Sequence, residues 1–427
     1  MSMPIVVLIV VFIVTLIMGV PIVWSMSLAC IASCLAAGDV PILFFAQKME
    51  AGTEKYTFLA IFFFMLAGAI MQHGGISERL IALAKTLFGN ISGGLSIVVI
   101  VVCMFFAALT GSSIATTAAI GAMLYPELVK AGYPKGYAAA LPVAGGTLGI
   151  VIPPSIPFVI YGTTVNTSVA KLLLSGVVPG IMAGGAMCVY AYFYAKRKNF
   201  PKEERASLKE IGLALKNSLL ALFMPLIILG GIYAGVFTPT ESAVVAVVYG
   251  LLVSCFIYRE LKLDKLLSIV VDSVKGTANV MLLIMAAGVL GWVLTRNNIP
   301  AAVTTALTTI FTSKVSFLLC LNVLLIFLGM IMDTGAIILI AAPLIYPIAV
   351  SLGIDPVHLG CIVVFNLSVG QATPPFGNCL FAATAATDQD VVSLSKNSLP
   401  FIGILYACVL LTSFIPAVST WLPSMMK

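Results

Sequence analysis

Two stretches decide how this chain folds: "GGTLGIVIPPSIP" at residues 145–157 and "NLSVGQATPPFGN" at residues 366–378. Each sets a proline pair, Pro153-Pro154 or Pro374-Pro375, inside a run otherwise apolar enough to lie in a bilayer. Proline lacks the N–H that a helix interior needs and its ring crowds the preceding turn, so two in succession end a helix. Sliding the chain by 221 residues lays one stretch on the other. The same slide brings Tyr125-Pro126 onto Tyr346-Pro347, Gly132 onto Gly353 and Gly149 onto Gly370. From Ala115 to Pro154, nine of forty positions match without a gap, and most matches are helix breakers that apolar composition alone does not align. The chain is therefore read as a duplication.

The composition says what is duplicated. Of 427 residues, 61% are hydrophobic and 9% charged, where soluble domains carry about 25% charged residues. Runs such as 4–20 and 398–417 contain no charge and approach the roughly 20 residues needed to cross a bilayer. The fold class is an all-α polytopic membrane protein; the short alternating strands of an outer-membrane barrel are not visible. The first apolar stretch lacks a basic leader and is read as a true span rather than a signal peptide. The longest hydrophilic stretch, "KRKNFPKEERASLKE" (196–210), is too short to build a soluble core. The net charge of +6 is spread over short loops, which fits membrane orientation and not nucleic acid. Nine cysteines show no CxxC pair or Cys/His cluster, so a disulfide or metal framework is not expected.

Hydropathy and breakers predict spans near 3–21, 22–38, 56–73, 135–161, 173–196, 217–236, 240–258, 275–294, 357–384 and 398–421. Segments 41–55 and 76–90 mix charge with apolar residues at helical spacing and are expected to lie in the interface. Residues 93–131 and 314–352 each hold two apolar arms around a polar midpoint, "TGSSIATT" (110–117) and "MDTG" (332–335). Such a pattern predicts a re-entrant hairpin, tolerated at membrane depth only where protein or a water-filled cavity covers the backbone. Five spans and one hairpin per half make the second half enter from the opposite side. With loop 196–216 in the cytoplasm and both termini outside, sixteen basic residues lie inside and six outside, as the positive-inside rule requires. That is an inverted repeat, an architecture of secondary transporters.

In each half a hairpin tip is followed by a broken span. The first half offers Gly111, Ser112, Ser113, Thr116 and Thr117, then Gly149, Ile152 and Pro153. The second offers Asp333, Thr334 and Gly335, then Asn366, Gly370, Gln371, Thr373, Pro374 and Asn378. Missing proline donors free carbonyls, which with hydroxyls are hard oxygen ligands for a bare cation, while half-helix N-termini suit an anion. These parts could make two cation sites flanking one anion site. Ser113, Thr116, Asn366, Gln371, Thr373 and Asn378 are the candidate substrate contacts. Asp333 is a carboxylate at membrane depth, a cation ligand or a helix cap, or both; its counterpart is Ser112. The second broken span is the more polar, with Gln371, Thr373 and Asn378 where the first has Ile150, Ile152 and Pro157.

Enzyme readings find little support. "DTG" lacks the second carboxylate of an aspartic protease dyad. Neither histidine has an evident route to Ser112 or Ser113, with His73 at a span end and His358 near the outer surface. There is no Walker A lysine motif. "VFTPTESA" (236–243) reads as a helix start capped by Thr238 or Thr240, and Trp24, Trp292 and Trp421 as interfacial anchors.

Taken in order, "LTGSSIATTAAIG", "GGTLGIVIPPSIPFVIYG", "GIYAGVFTPTESAVVAVVYG", "IMDTGAIILIAAPLIYPIAVSLGIDPVHLG" and "VGQATPPFGNCLF" resemble the large membrane subunit of tripartite ATP-independent periplasmic (TRAP) transporters over essentially the whole chain. The resemblance implies sodium-coupled uptake of an organic acid, of C4-dicarboxylate or sialic acid type, across the bacterial inner membrane. It implies an elevator motion, with transport regions 93–162 and 314–388 sliding against scaffold regions 1–92, 163–313 and 389–427. It implies a separate four-helix membrane subunit and a periplasmic substrate-binding protein. One Na+ site would lie between 111–113 and 149–153, a second between 333–335 and 370–374, with the substrate carboxylate between the tips. The alternatives are a carrier of the same fold that needs no binding protein, and a non-transporting structural subunit.

Overall fold

The computed structural model describes residues 2–38, 41–311 and 313–426, and every regular element among them is helical. The first half runs α1 (Met3–Ile17), α2 (Ile22–Ala37), α3 (Ile42–Ala51), α4 (Leu59–His73), α5 (Ile76–Phe88), α6 (Gly94–Thr110), α7 (Ser113–Lys130), α8 (Lys135–Gly146), α9 (Ile156–Thr164), α10 (Val169–Ser175) and α11 (Val177–Lys198). The second runs α12 (Leu208–Tyr233), α13 (Pro239–Leu251), α14 (Leu263–Arg296), α15 (Ile299–Ile310), α16 (Lys314–Ile331), α17 (Thr334–Ser351), α18 (Pro356–Gly370), α19 (Asn378–Ala386), α20 (Val391–Phe414) and α21 (Ala417–Ser424). Eight helical segments among the described residues are long and apolar enough to cross a membrane. Their outward residues stay apolar, as with Phe193, Leu226 and Phe327, which suits lipid contact. The chain is a multi-pass membrane protein.

Local chemistry explains where helices start. Thr238 caps α13 in a capping box: Glu241 N–H donates to the threonine hydroxyl, and the Glu241 carboxylate accepts from Thr238 N–H at 2.8 Å. Ser207 and Glu210 do the same for α12. Both segments expected to lie in the interface form helices, α3 and α5, and α5 ties to α7 through the Lys85–Glu127 ion pair. Trp24 and Trp421 are exposed, in keeping with an anchoring role.

Several spans differ from the sequence expectation. Residues 263–296 form one helix of 34 residues, where a span of 275–294 is expected. Asp272 and Lys275 do not end it, because both charges point into solvent at its exposed end, 3.9 Å apart. The segment 299–310 adds a helix that the hydropathy reading leaves out. The last span stops at Phe414 and resumes at Ala417, since Pro416 interrupts it. His358, expected near the outer face, is enclosed by protein. Its Nδ1 sits 2.7 Å from Ser419 Oγ and its Nε2 3.2 Å from the Ser413 carbonyl.

The 221-residue offset persists in three dimensions. Helix α7 at 113–130 maps onto α17 at 334–351 at both ends. Contacts exchange between halves: α7 packs on α19 and α17 on α9, while α2 packs on α14 and α13 on α4.

Candidate functional site

Each polar midpoint separates two helices, α6 from α7 and α16 from α17. At the first tip, α6 ends at Thr110 and Gly111 takes a left-handed conformation (φ +61°), the turn that glycine adopts at no steric cost. A Cβ there would also come within 2.9 Å of the Pro154 carbonyl oxygen. Ser112 is extended and caps α7 by accepting from Ala115 N–H. At the second tip, Asp333 caps α17 and accepts from Gly335 N–H at 2.8 Å. The capping reading of this carboxylate therefore holds.

The broken spans satisfy part of their freed backbone internally. In the first, α8 tightens into a 3-10 turn over Thr147–Ile150, the Pro153–Pro154 bond is cis, and Ser155 caps α9. The Ser155 hydroxyl donates to the Ile150 carbonyl at 2.6 Å, so that oxygen is occupied. In the second, the Pro374–Pro375 bond is also cis, and the Thr373 hydroxyl donates to the Val369 carbonyl at 2.7 Å. Cys379 N–H closes onto the Gln371 carbonyl at 2.9 Å.

The two tips face one cavity of about 520 Å³. Gly111, Ser112 and Ser113 line it from one side, Asp333, Thr334 and Gly335 from the other, and Gln371 from the second broken span. The Gln371 side chain donates from Nε2 to Thr334 Oγ1 at 2.7 Å, fastening that span to its own hairpin tip. Ser113, Thr334 and Gln371 are buried, whereas Asp333 is exposed to the cavity. The first turns of α7 and α17 present backbone N–H groups here, which favours negative charge. Hydroxyl, carboxylate and carbonyl oxygens are the donor set that suits a hard monovalent cation. No Lys or Arg lines the cavity among the described residues.

The remaining candidates lie behind this wall. Gly149 sits under the first tip, where a Cβ would meet Ser112 O at 2.5 Å and Ser113 Cα at 2.9 Å. Gly370 packs on α16, with Gly329 Cα 2.7 Å from an added Cβ. Thr116 lies 2.9 Å from Thr110 Oγ1 and donates to the Ser112 carbonyl at 2.8 Å, stiffening the tip from inside. Thr373 reaches Tyr406, with its hydroxyl 3.2 Å from the phenol oxygen. Asn366 donates to Asn322 Oδ1 at 2.7 Å in a buried cluster with Ser413. Ile152, Pro153, Pro374 and Asn378 are likewise outside the cavity lining.

Sequence reasoning missed the far wall: Gln72 and His73 from α4, and Ile269, Asp272 and Leu283 from α14. His73 shares the cavity with Ser112 and Ser113, contrary to the expectation that it has no route to them. These residues sit on unbroken helices, which carry no local mark of a site.

Known proteins resemble this chain in sequence and in fold. Residues 9–418 match the family described as tripartite ATP-independent periplasmic transporter, DctM component. The chain is 43% identical over 379 residues to the C4-dicarboxylate TRAP transporter large permease protein DctM of Pseudomonas aeruginosa, covering 89% of each chain. It is 40% identical over 404 residues to the isethionate TRAP transporter permease protein DctMQ of Oleidesulfovibrio alaskensis; the match takes in 94% of this chain and 64% of that longer one. Among solved structures, the Alcanivorax borkumensis YdaH transporter aligns with a TM-score of 0.63 over 87% of both chains at 15% identity, a likeness of fold alone. With tips, broken spans and sequence in accord, the chain belongs to the DctM family of TRAP transporter large permeases, which are transporters and not enzymes.

Proposed function

We propose that this chain is the carrier subunit of a sodium-coupled importer for a small organic anion of carboxylate or sulfonate class. The observation that carries the reading is the meeting of both hairpin tips on one cavity, with oxygen ligands and helix N-termini facing the same space. Gly111, Ser112 and Ser113 would hold one sodium ion, and Asp333, Thr334 and Gly335 a second. The anion would lie between them, bound by N–H groups, Gln371 and the ions themselves, since no Lys or Arg side chain among the described residues lines the cavity. The names of the relatives, a C4-dicarboxylate and an isethionate permease, span both acid types.

The remaining parts of the reading follow from placement. Hairpins and broken spans (93–162 and 314–388) form a transport unit that moves as an elevator against the other helices. The two halves are related by a two-fold in the membrane plane, with both termini periplasmic. The exposed cavity residues His73, Ser268 and Asp272 lie toward the end bearing Arg79, Lys262 and Lys265. That end is cytoplasmic by its basic charge, so the cavity opens inward. A small membrane subunit and a periplasmic binding protein complete the transporter in the inner membrane.

The test is uptake into proteoliposomes holding this chain with its small subunit. Labelled C4-dicarboxylate or isethionate is supplied with or without a binding protein, under an imposed sodium gradient. Uptake that needs both sodium and the binding protein is expected. Uptake indifferent to sodium would reject the coupling, and uptake without a binding protein would reject the tripartite assembly.

A further inference from the structure

Thr147 and Ser368 occupy the same place in the two halves, 221 residues apart, and they touch. The Ser368 hydroxyl donates to the Thr147 carbonyl. Ser113, at the rim of the cavity, donates its hydroxyl to the same oxygen at 3.2 Å. Thr147 and Ser368 are fully buried. The carbonyl lacks its α-helical partner, because Val151 N–H turns to Leu148 in the 3-10 segment, and its second lone pair can take these side-chain bonds.

This junction has a chemical consequence for Ser113. A hydroxyl that serves a cation turns its lone pairs to the ion and sends its proton elsewhere. Here the proton goes to Thr147, so the orientation of Ser113 is set from behind by a carbonyl that Ser368 also grips. Three residues further along the same chain, Gln371 holds Thr334 at the opposite tip at 2.7 Å. One segment, 368–371, thus touches both tips, directly at the second and through one carbonyl at the first.

We propose that this segment couples cation occupancy at the two hairpin tips, with Ser368 as the positioning residue. The inference rests on the sodium reading above. An ion drawing Ser113 into place fixes Thr147 and, through Ser368, the turn that carries Gln371 and Thr334. Binding at one tip then prepares the other, and the coupling is reciprocal.

Equilibrium binding of radioactive sodium to the purified full chain in nanodiscs tests this. The wild type is expected to bind with a Hill coefficient approaching about 2, the number of coupled sites. Ser368→Ala is expected to lower it toward about 1 and to raise the half-saturating sodium roughly 5- to 10-fold. Ser368→Thr, which keeps the hydroxyl, is expected to restore cooperativity. A loss of packing alone would lower the thermal midpoint of Ser368→Ala without changing the Hill coefficient, and that outcome overturns the proposal. Should Ser368→Ala fail to fold, Ser368→Cys keeps the volume with a weak donor and carries the same expectation. Absence of sodium binding in the wild type would instead overturn the transport reading. Cooperative wild-type binding that Ser368→Ala leaves intact would overturn only the coupling.

Discussion

Gly149→Ala should weaken sodium binding at the first tip without unfolding the protein. The new methyl would stand 2.5 Å from Ser112 O, 2.8 Å from Ser112 C and 2.9 Å from Ser113 Cα. All three are backbone atoms, and none can swing aside. Ordinary contact begins at 3.4 Å, so the tip or the broken span must give by about 0.9 Å. Overpacking of this kind costs about 1–3 kcal/mol. Binding sites also need their ligands held within roughly 0.5 Å, so a shift of this size should raise the half-saturating sodium concentration at least tenfold, equivalent to about 1.4 kcal/mol. The assay is sodium binding to the purified chain, with thermal unfolding recorded alongside. Gly185→Ala is the control, because an added Cβ there meets nothing within 4 Å. Wild-type sodium affinity in Gly149→Ala would refute the reasoning, since it would mean that the broken span does not set the geometry of the tip.

Asp333→Asn keeps a good cap and removes the charge. Its stability should change by less than about 0.5 kcal/mol while sodium affinity falls roughly tenfold; unchanged affinity would reduce Asp333 to a cap. Gln371→Leu removes the 2.7 Å bond to Thr334 inside the protein, at a cost of about 1–3 kcal/mol. It should also raise the sodium requirement for uptake, and a variant that is destabilised yet keeps its sodium requirement would separate Gln371 from the site. Lys55 donates to the Thr163 carbonyl at 2.6 Å and to Asn166 Oδ1 at 2.9 Å, closing the end of α9. Lys55→Met should cost about 1 kcal/mol after allowance for its partial exposure, and Lys55→Arg much less. Equal losses in the two thermal midpoints would show that packing, not hydrogen bonding, is at stake.

The parts of this protein that interrupt a helix were legible, and the parts that continue one were not. Pro153-Pro154 and Pro374-Pro375 announced the broken spans, and the polar residues between apolar arms announced the hairpin tips. Seven residues singled out on those grounds line the cavity: Gly111, Ser112, Ser113, Asp333, Thr334, Gly335 and Gln371. Freed carbonyls were a weaker guide, because Ser155 and Thr373 turn their hydroxyls back onto the Ile150 and Val369 carbonyls. Nothing in the sequence marks Gln72, His73 or Leu283 as cavity residues. They face it only because α4 and α14 pack beside the tips, and packing between distant segments leaves no local signature. The length of α14 is hidden for a related reason: hydropathy marks only the apolar stretch 275–294, although the helix runs on past Asp272 and Lys275 with its charges outward.

The contact between Thr147 and Ser368 also bears on how such a chain diverges from its own duplicate. Under the two-fold relation proposed above, a residue that touches its counterpart would sit on the axis between the halves, and in an unfused pair of identical halves a single codon would specify both partners. Any change there would have altered both sides together, so the axis could hold only arrangements that tolerate being doubled. Fusion lifts that restriction. Here the hydroxyl of Ser368 crosses to Thr147, while the hydroxyl of Thr147 turns away to the Ala144 carbonyl at 2.6 Å. One crossing bond stands where strict symmetry would demand two, so a single substitution at this contact can give the halves separate histories.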